Sequence, residues 1–103
     1  MRESKIEDLL HQRIKDLGGE HRRAKWVGRN GAPDDYIMVH PRSSPRWWQN
    51  GFVGWVECKA PKKGPRSDQA REHERMRAFG IHVLVINTPE LIDFYFPLPE
   101  SKQ

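Results

Sequence analysis

The sequence predicts an α/β fold in which a small mixed β-sheet is flanked by helices. Its elements follow the order helix, several strands, helix, strand, helix. The chain has 103 residues, enough for one domain but not for two. Only 36% of the residues are hydrophobic and 31% are charged, so the core must be small. We therefore expect a single domain over residues 1–96, followed by a frayed tail over residues 97–103.

Apolar side chains at helical spacing predict the first helix over residues 4–17, and Gly18-Gly19 should end it. The members of this apolar stripe are Ile6, Leu9, Leu10, Ile14 and Leu17. The charged segment 21–27 is interpreted as a short strand, and residues 28–31 as a turn.

Two buried strands are predicted over residues 35–40 and 52–59, joined by a loop over residues 41–50. A second helix is predicted over residues 67–79, with Ser67 as its N-cap and Gly80 just after its end. A third strong strand, residues 81–86, precedes a short helix that Thr88 and Pro89 should open.

Cysteine content and hydropathy exclude several classes of protein. Cys58 is the only cysteine, which excludes an intramolecular disulfide framework and a cysteine-based zinc finger. We expect it to be a small buried side chain in a reducing, cytoplasmic environment. No apolar run approaches the roughly 18 residues of a membrane helix, and the charged start does not resemble a signal peptide.

Basic residues are concentrated in the middle of the chain. Residues 22–77 contain thirteen basic and six acidic side chains, whereas both flanking segments are net acidic. This distribution favours a polyanionic partner, most simply nucleic acid, although a purely solubilising role remains open. The candidate phosphate-contacting residues are Lys25, Arg29, Lys62, Lys63 and Arg66.

Charged residues interrupt two strands that should otherwise be buried. Asp34 begins one strand, while Glu57 and Lys59 lie two residues apart, on one face, at the end of the next. A hairpin between these strands would bring Asp34 and Glu57 to the same end of the sheet. Two carboxylates form a hard oxygen site suited to Mg²⁺ or Mn²⁺, the chemistry of phosphodiester hydrolysis. The alternative is a structural ion pair between Lys59 and either carboxylate.

Four short motifs in a fixed order resemble the VRR-NUC family, a branch of the PD-(D/E)XK nuclease superfamily. They are Gly31-Ala32-Pro33-Asp34, Val56-Glu57-Cys58-Lys59-Ala60-Pro61, Ser67-Asp68-Gln69, and Leu84-Val85 after Gly80. The resemblance covers roughly residues 3–95. It implies a restriction-endonuclease-like core and Mg²⁺- or Mn²⁺-dependent cleavage of DNA. Stand-alone phage and bacterial members resemble Holliday junction resolvases, which implies a homodimer acting on branched DNA, in the host cytoplasm if phage-encoded.

The resemblance also implies residue roles. Asp34 and Glu57 would be metal ligands, Lys59 the catalytic lysine, and Gln69 would orient a phosphate or water. Glu7 would be the carboxylate of the first helix that reaches the metal. A capping box with Ser4 explains Glu7 equally well, and Glu3 is the fallback.

Several readings stay open at this point. Trp47 and Trp48 are compatible with stacking on bases, with a dimer interface, or with covering the end of the core. His73 is expected to be a partly exposed helical histidine, and His11 and His21 show no ligand spacing. The alternative functions are a catalytically idle nucleic-acid-binding module and a structural protein without a nucleic-acid role.

Overall fold

The computed structural model describes residues 1–99 and confirms the α/β fold. A four-stranded sheet carries three helices and the connecting loops. In chain order the elements are α1 (Glu3–Asp16), β1 (Glu20–Arg23), β2 (Asp35–Val39), β3 (Phe52–Cys58), α2 (Ser67–Ala78), β4 (His82–Ile86) and α3 (Pro89–Tyr95).

The strands are arranged in the order β1-β2-β3-β4. The first three strands are antiparallel, and β4 is parallel to β3 because α2 crosses over between them. The register between β2 and β3 runs from Val39 opposite Phe52 to Asp35 opposite Val56. The start of β2 therefore lies beside the end of β3, at the same edge of the sheet.

The apolar core lies between one face of the sheet and helices α1 and α3. Ile6, Leu10 and Ile14 recur every four residues, so α1 places all three on the sheet, where each is fully buried. Phe52, Val56 and Ile86 are among the sheet residues that meet them; Cys58 is buried in the same cluster. Burial strongly raises the pKa of the Cys58 thiol, so it is a small apolar side chain, as predicted.

Helix ends follow the predicted signals with one correction. Gly18 has φ +73° and Gly80 has φ +85°, as expected for residues that terminate helices. The Thr88 side chain caps α3 by accepting a hydrogen bond from the Leu91 N–H at 3.2 Å. The prediction for Ser67 was wrong: Arg66 is the N-cap of α2, and Ser67 is already helical.

The remaining differences concern element bounds. β1 is shorter than residues 21–27, since it pairs with β2 only as far as Arg23 opposite Asp35. The loop 41–50 contains two short 3₁₀ turns, Pro41–Ser43 and Arg46–Trp48. Phe96 is buried, so the domain reaches at least that residue. Residues 100–103 of the predicted tail lie outside the described residues, and within residues 1–99 no helix is long and apolar enough to cross a membrane.

Candidate active site

Asp34 and Glu57 lie at the common end of β2 and β3. Asp35 is opposite Val56 in the antiparallel register, so the next pair of residues is Asp34 and Glu57. Directly opposed residues of an antiparallel pair point to the same face of the sheet. The hairpin therefore brings the two carboxylates to one end of the sheet, as the sequence predicted.

Arg23 connects Asp34 with Glu7. Its guanidinium donates from Nη1 to Asp34 Oδ2 at 2.9 Å and from Nη2 to Glu7 Oε2 at 2.6 Å. The Glu7 side chain is only 17% exposed, against 56% for Asp34. Arg2, not Ser4, is the N-cap of α1, and its side chain makes no capping hydrogen bond. The capping explanation for Glu7 is therefore wrong, and Glu7 belongs spatially with Asp34.

The charges in this cluster influence one another. Burial raises the pKa of Glu7, and Arg23 opposes this effect while Asp35 and Asp34 add to it. The pKa of Arg23 is raised because Glu7 and Asp34 stabilise its charge against partial desolvation. Among residues 1–99, Glu7, Asp34 and Glu57 do not converge to within 4.8 Å of one another. Arg23 instead occupies the space between the first two.

Glu57 is buried against helix α2. Its Oε1 lies 3.4 Å from Nε2 of His73, a residue that is 1% exposed. The expectation that His73 is partly exposed was wrong, because Gln69, Glu72 and His73 all lie on the buried side of α2. Within the described part of the chain, Glu57 Oε1 and both His73 ring nitrogens have no hydrogen-bond partner. The spacing of four residues between Gln69 and His73 was the one signal for this contact.

Gln69 and Lys59 flank this pair. Gln69 is buried, and its Oε1 accepts a hydrogen bond from the Arg66 N–H at 2.9 Å, so this oxygen caps its own helix. Lys59 follows the end of β3, and its backbone N–H donates to the Ile86 carbonyl at 3.0 Å. Within residues 1–99, Asp34 is paired with Arg23 and Glu57 with His73, and neither carboxylate lies within 4.0 Å of the Lys59 ammonium. The alternative of a structural ion pair between Lys59 and either carboxylate is therefore wrong.

The loop before Asp34 is fixed against α2. Gly31 has φ +82°, a conformation that favours glycine. A Cβ at this position would lie 2.7 Å from the Asp68 carbonyl oxygen, closer than real contacts allow. The motif that carries Asp34 therefore requires a glycine three residues earlier.

The predicted phosphate-contacting residues differ in their surroundings. Lys25, Lys62 and Lys63 are exposed. Arg66 is exposed and pairs with Asp68 at 3.2 Å. Arg29 is engaged by Glu72 and thereby holds the pKa of that carboxyl below its usual range. Arg29 is thus the residue of this group whose charge is already balanced by a buried partner.

The two adjacent tryptophans have different environments. Trp48 is half-buried, donates its indole N–H to the Tyr95 carbonyl at 2.9 Å, and packs edge-on against Phe52. It covers the end of the core. Trp47 is 55% exposed and stacks on Phe94, which is 61% exposed.

Three further residues come together that the sequence did not connect. His11 on α1, His21 on β1 and Asp35 on β2 have ligand atoms that all lie within 4.8 Å of one another. Their spacing of 10 and 14 residues has no motif, so the contact depends on the docking of α1 and β1 on β2.

Comparisons with known proteins bear on this arrangement. No family model matches the chain. The chain is 34% identical over 91 residues to "Putative nuclease p44" of Acyrthosiphon pisum secondary endosymbiont phage 1, covering 88% of each protein. A solved structure described as a VRR_NUC domain matches with a TM-score of 0.71 and 32% identity, over 89% of this chain and 90% of that one.

Proposed function

Because the chain belongs to the VRR-NUC family of nucleases, we propose that it is a metal-dependent endonuclease that hydrolyses DNA phosphodiester bonds. One observation carries the proposal. Asp34 and Glu57 meet at the end of a hairpin, and Glu7 is linked to Asp34 through Arg23. These are the carboxylates that the family motifs single out. The net positive charge of +4 on the whole chain suits a nucleic-acid substrate.

The donor set fits Mg²⁺ or Mn²⁺. Glu57 Oε1 is a buried carboxylate oxygen without a hydrogen-bond partner among residues 1–99, an arrangement that is unfavourable unless a cation or proton compensates it. Asp34 and Glu57 would hold the ion, joined by Glu7 once Arg23 releases it. A bound divalent ion would lower the pKa of a coordinated water and neutralise charge on the phosphate.

Lys59 and Arg23 supply the cations of the site. Lys59 would position the attacking water and offset the charge that builds up on the phosphate, since its ammonium has no carboxylate partner in the described chain. Arg23 is 55% exposed, so its guanidinium can turn from the carboxylates toward a DNA phosphate. Gln69 would contribute through its amide nitrogen, because its oxygen caps α2.

Exposed lysines in the loops near this end of the sheet would hold the DNA backbone. Lys25 lies in the loop after β1, and Lys62 and Lys63 lie between β3 and α2. Arg66 can join them by exchanging its exposed Asp68 partner for a phosphate. Arg29 would contribute least, since it must leave the buried Glu72.

We further propose that the protein acts on branched DNA as a homodimer. A four-way junction has two-fold symmetry, and its resolution requires cuts in two opposed strands. The exposed Trp47 and Phe94 stack is the candidate anchor of the second subunit, because aromatic residues dominate the centre of protein interfaces.

The test is cleavage of a panel of four-way junctions, flaps, nicked duplex, linear duplex and single-stranded RNA, each with Mg²⁺, Mn²⁺ or EDTA. We expect metal-dependent cleavage, fastest on the junction. The Asp34→Asn protein, purified in parallel, controls for contaminating nucleases. A salt-sensitive gel shift without cleavage of any substrate would identify an idle binding module instead and refute the proposal.

A further inference from the structure

We propose that His11, His21 and Asp35 form a second metal site, selective for a zinc-like transition-metal ion. The three residues come from three different elements, α1, β1 and β2, and their ligand atoms lie within 4.8 Å of one another. Two imidazoles and one carboxylate are a common donor set for zinc. Magnesium, in contrast, prefers oxygen ligands.

The geometry of the three side chains supports this assignment. His11 Nε2 lies 2.9 and 2.8 Å from the two oxygens of Asp35, which is itself 1% exposed. The His11 and His21 rings are parallel, with centroids 3.9 Å apart and an interplanar angle of 1°. Both imidazoles therefore approach the same buried carboxylate side by side.

A structural ion pair between His11 and Asp35 does not account for His21. The carboxylate is already satisfied by His11, whereas His21 lies on the exposed edge strand β1 and adds a second imidazole.

The location of the site gives it a structural consequence. His11 follows Glu7 by one helical turn, His21 precedes Arg23 on β1, and Asp35 is adjacent to Asp34. An ion held by these ligands would tie α1 and β1 to β2, the three elements that carry the Glu7, Arg23 and Asp34 cluster. The ligand set itself shares no residue with the proposed nuclease site.

The test is titration of the EDTA-treated, dialysed protein with Co²⁺ and Zn²⁺. We expect visible absorption bands typical of Co²⁺ in a nitrogen-containing site, displacement of Co²⁺ by Zn²⁺, and a Zn²⁺-dependent rise in Tm that excess Mg²⁺ does not reproduce. His21→Ala removes one ligand but leaves the His11 and Asp35 pair intact. It should weaken Zn²⁺ binding roughly tenfold or more.

His82→Ala is the matched control, because His82 lies on β4, the opposite edge of the sheet. It should bind Zn²⁺ like the wild type, and so should Asp34→Asn and Glu57→Gln. Absence of Zn²⁺ binding, or equal binding by His21→Ala, would overturn the proposal. Loss of the ion in Asp34→Asn or Glu57→Gln would do the same, since it would assign the ion to the nuclease site.

Discussion

The two long helices bury different kinds of side chain against the two faces of the sheet. α1 buries Ile6, Leu10 and Ile14, all apolar. α2 buries Gln69, Glu72 and His73, with Met76 as the single apolar member. Burial of apolar surface stabilises a fold, whereas buried polar groups are unfavourable unless they are paired. The face toward α1 thus stabilises the domain, and we propose that the face toward α2 serves the chemistry at the end of β3.

The largest effect is expected from the carboxylates at that end. Asp34→Asn and Glu57→Gln each remove one charge with little change in shape. Both should abolish cleavage, while DNA affinity measured by gel shift in EDTA stays near the wild-type value, since it depends on the basic loops.

Asp93→Asn is the matched control for Asp34→Asn. Asp93 is also an exposed aspartate paired with an arginine, Arg13, at 2.7 Å, but it lies on α3. It should cleave like the wild type. Full Mn²⁺-dependent activity in both Asp34→Asn and Glu57→Gln would refute the assignment of the active site to this end of the sheet.

Replacement of Lys59 should give the next largest effect. Lys59→Met is expected to cleave roughly 100- to 1,000-fold more slowly, the loss that follows removal of one preorganised donor. Lys59→Arg should recover only part of the rate, because the guanidinium presents its donors differently. Single-turnover kinetics would measure both. A wild-type rate in Lys59→Met would refute the catalytic role.

Stability tests the comparison of the two helices directly. Leu10→Ala on α1 should lower the free energy of unfolding by about 2–5 kcal/mol, because it opens a cavity in a fully buried site. His73→Leu on α2 should change it by about 1 kcal/mol or less, since neither ring nitrogen has a hydrogen-bond partner among residues 1–99. Urea unfolding gives both values. Equal losses would mean that the polar side of the sheet also stabilises the fold.

Replacement of the two tryptophans should affect different properties, stability for Trp48 and dimerisation for Trp47. Trp48→Ala is expected to lower Tm because it removes a packed ring and its hydrogen bond to Tyr95. Trp47→Ala should leave Tm nearly unchanged and shift the protein toward monomer in sedimentation. An unchanged dimer in Trp47→Ala would exclude this surface as the interface. A wild-type protein that is monomeric at micromolar concentration would contradict the proposed homodimer on a four-way junction.

The smallest effect is expected at Glu7 and depends on pH. The pKa of Glu7 in the folded protein is raised above 4.5, so its ionised form destabilises the fold at a pH above this raised pKa. This destabilisation disappears at low pH, where Glu7 is protonated in both the folded and the unfolded protein. In EDTA, Glu7→Gln should therefore stabilise the protein at pH 7 and have little effect at pH 4. Glu74 is an exposed carboxylate paired with Arg77, and Glu74→Gln should not stabilise the protein at pH 7 relative to pH 4. Destabilisation by Glu7→Gln at pH 7 would mean that its pairing with Arg23 outweighs desolvation.

The sequence predicted what depends on periodicity and strand register. The apolar stripe of α1, the strands and the meeting of Asp34 with Glu57 follow from local spacing plus one hairpin. It did not predict the burial of His73 or the assembly of His11 and His21 with Asp35. These contacts depend on how helices dock on the sheet, and a polar side chain gives no hydrophobic signal for that docking. The contact of Glu7 with Arg23 likewise depends on the docking of α1 beside β1.

The close approach of Gly31 to Asp68 couples two parts of the chain mechanically. The loop that presents Asp34 touches the first turn of α2 with no room for a methyl group. A displacement of α2 along the sheet would therefore reach both carboxylates, Asp34 through this loop and Glu57 through its contact with His73. The hairpin register brings the two carboxylates to one end of the sheet, and the first turn of α2 bounds the loop that leads into Asp34.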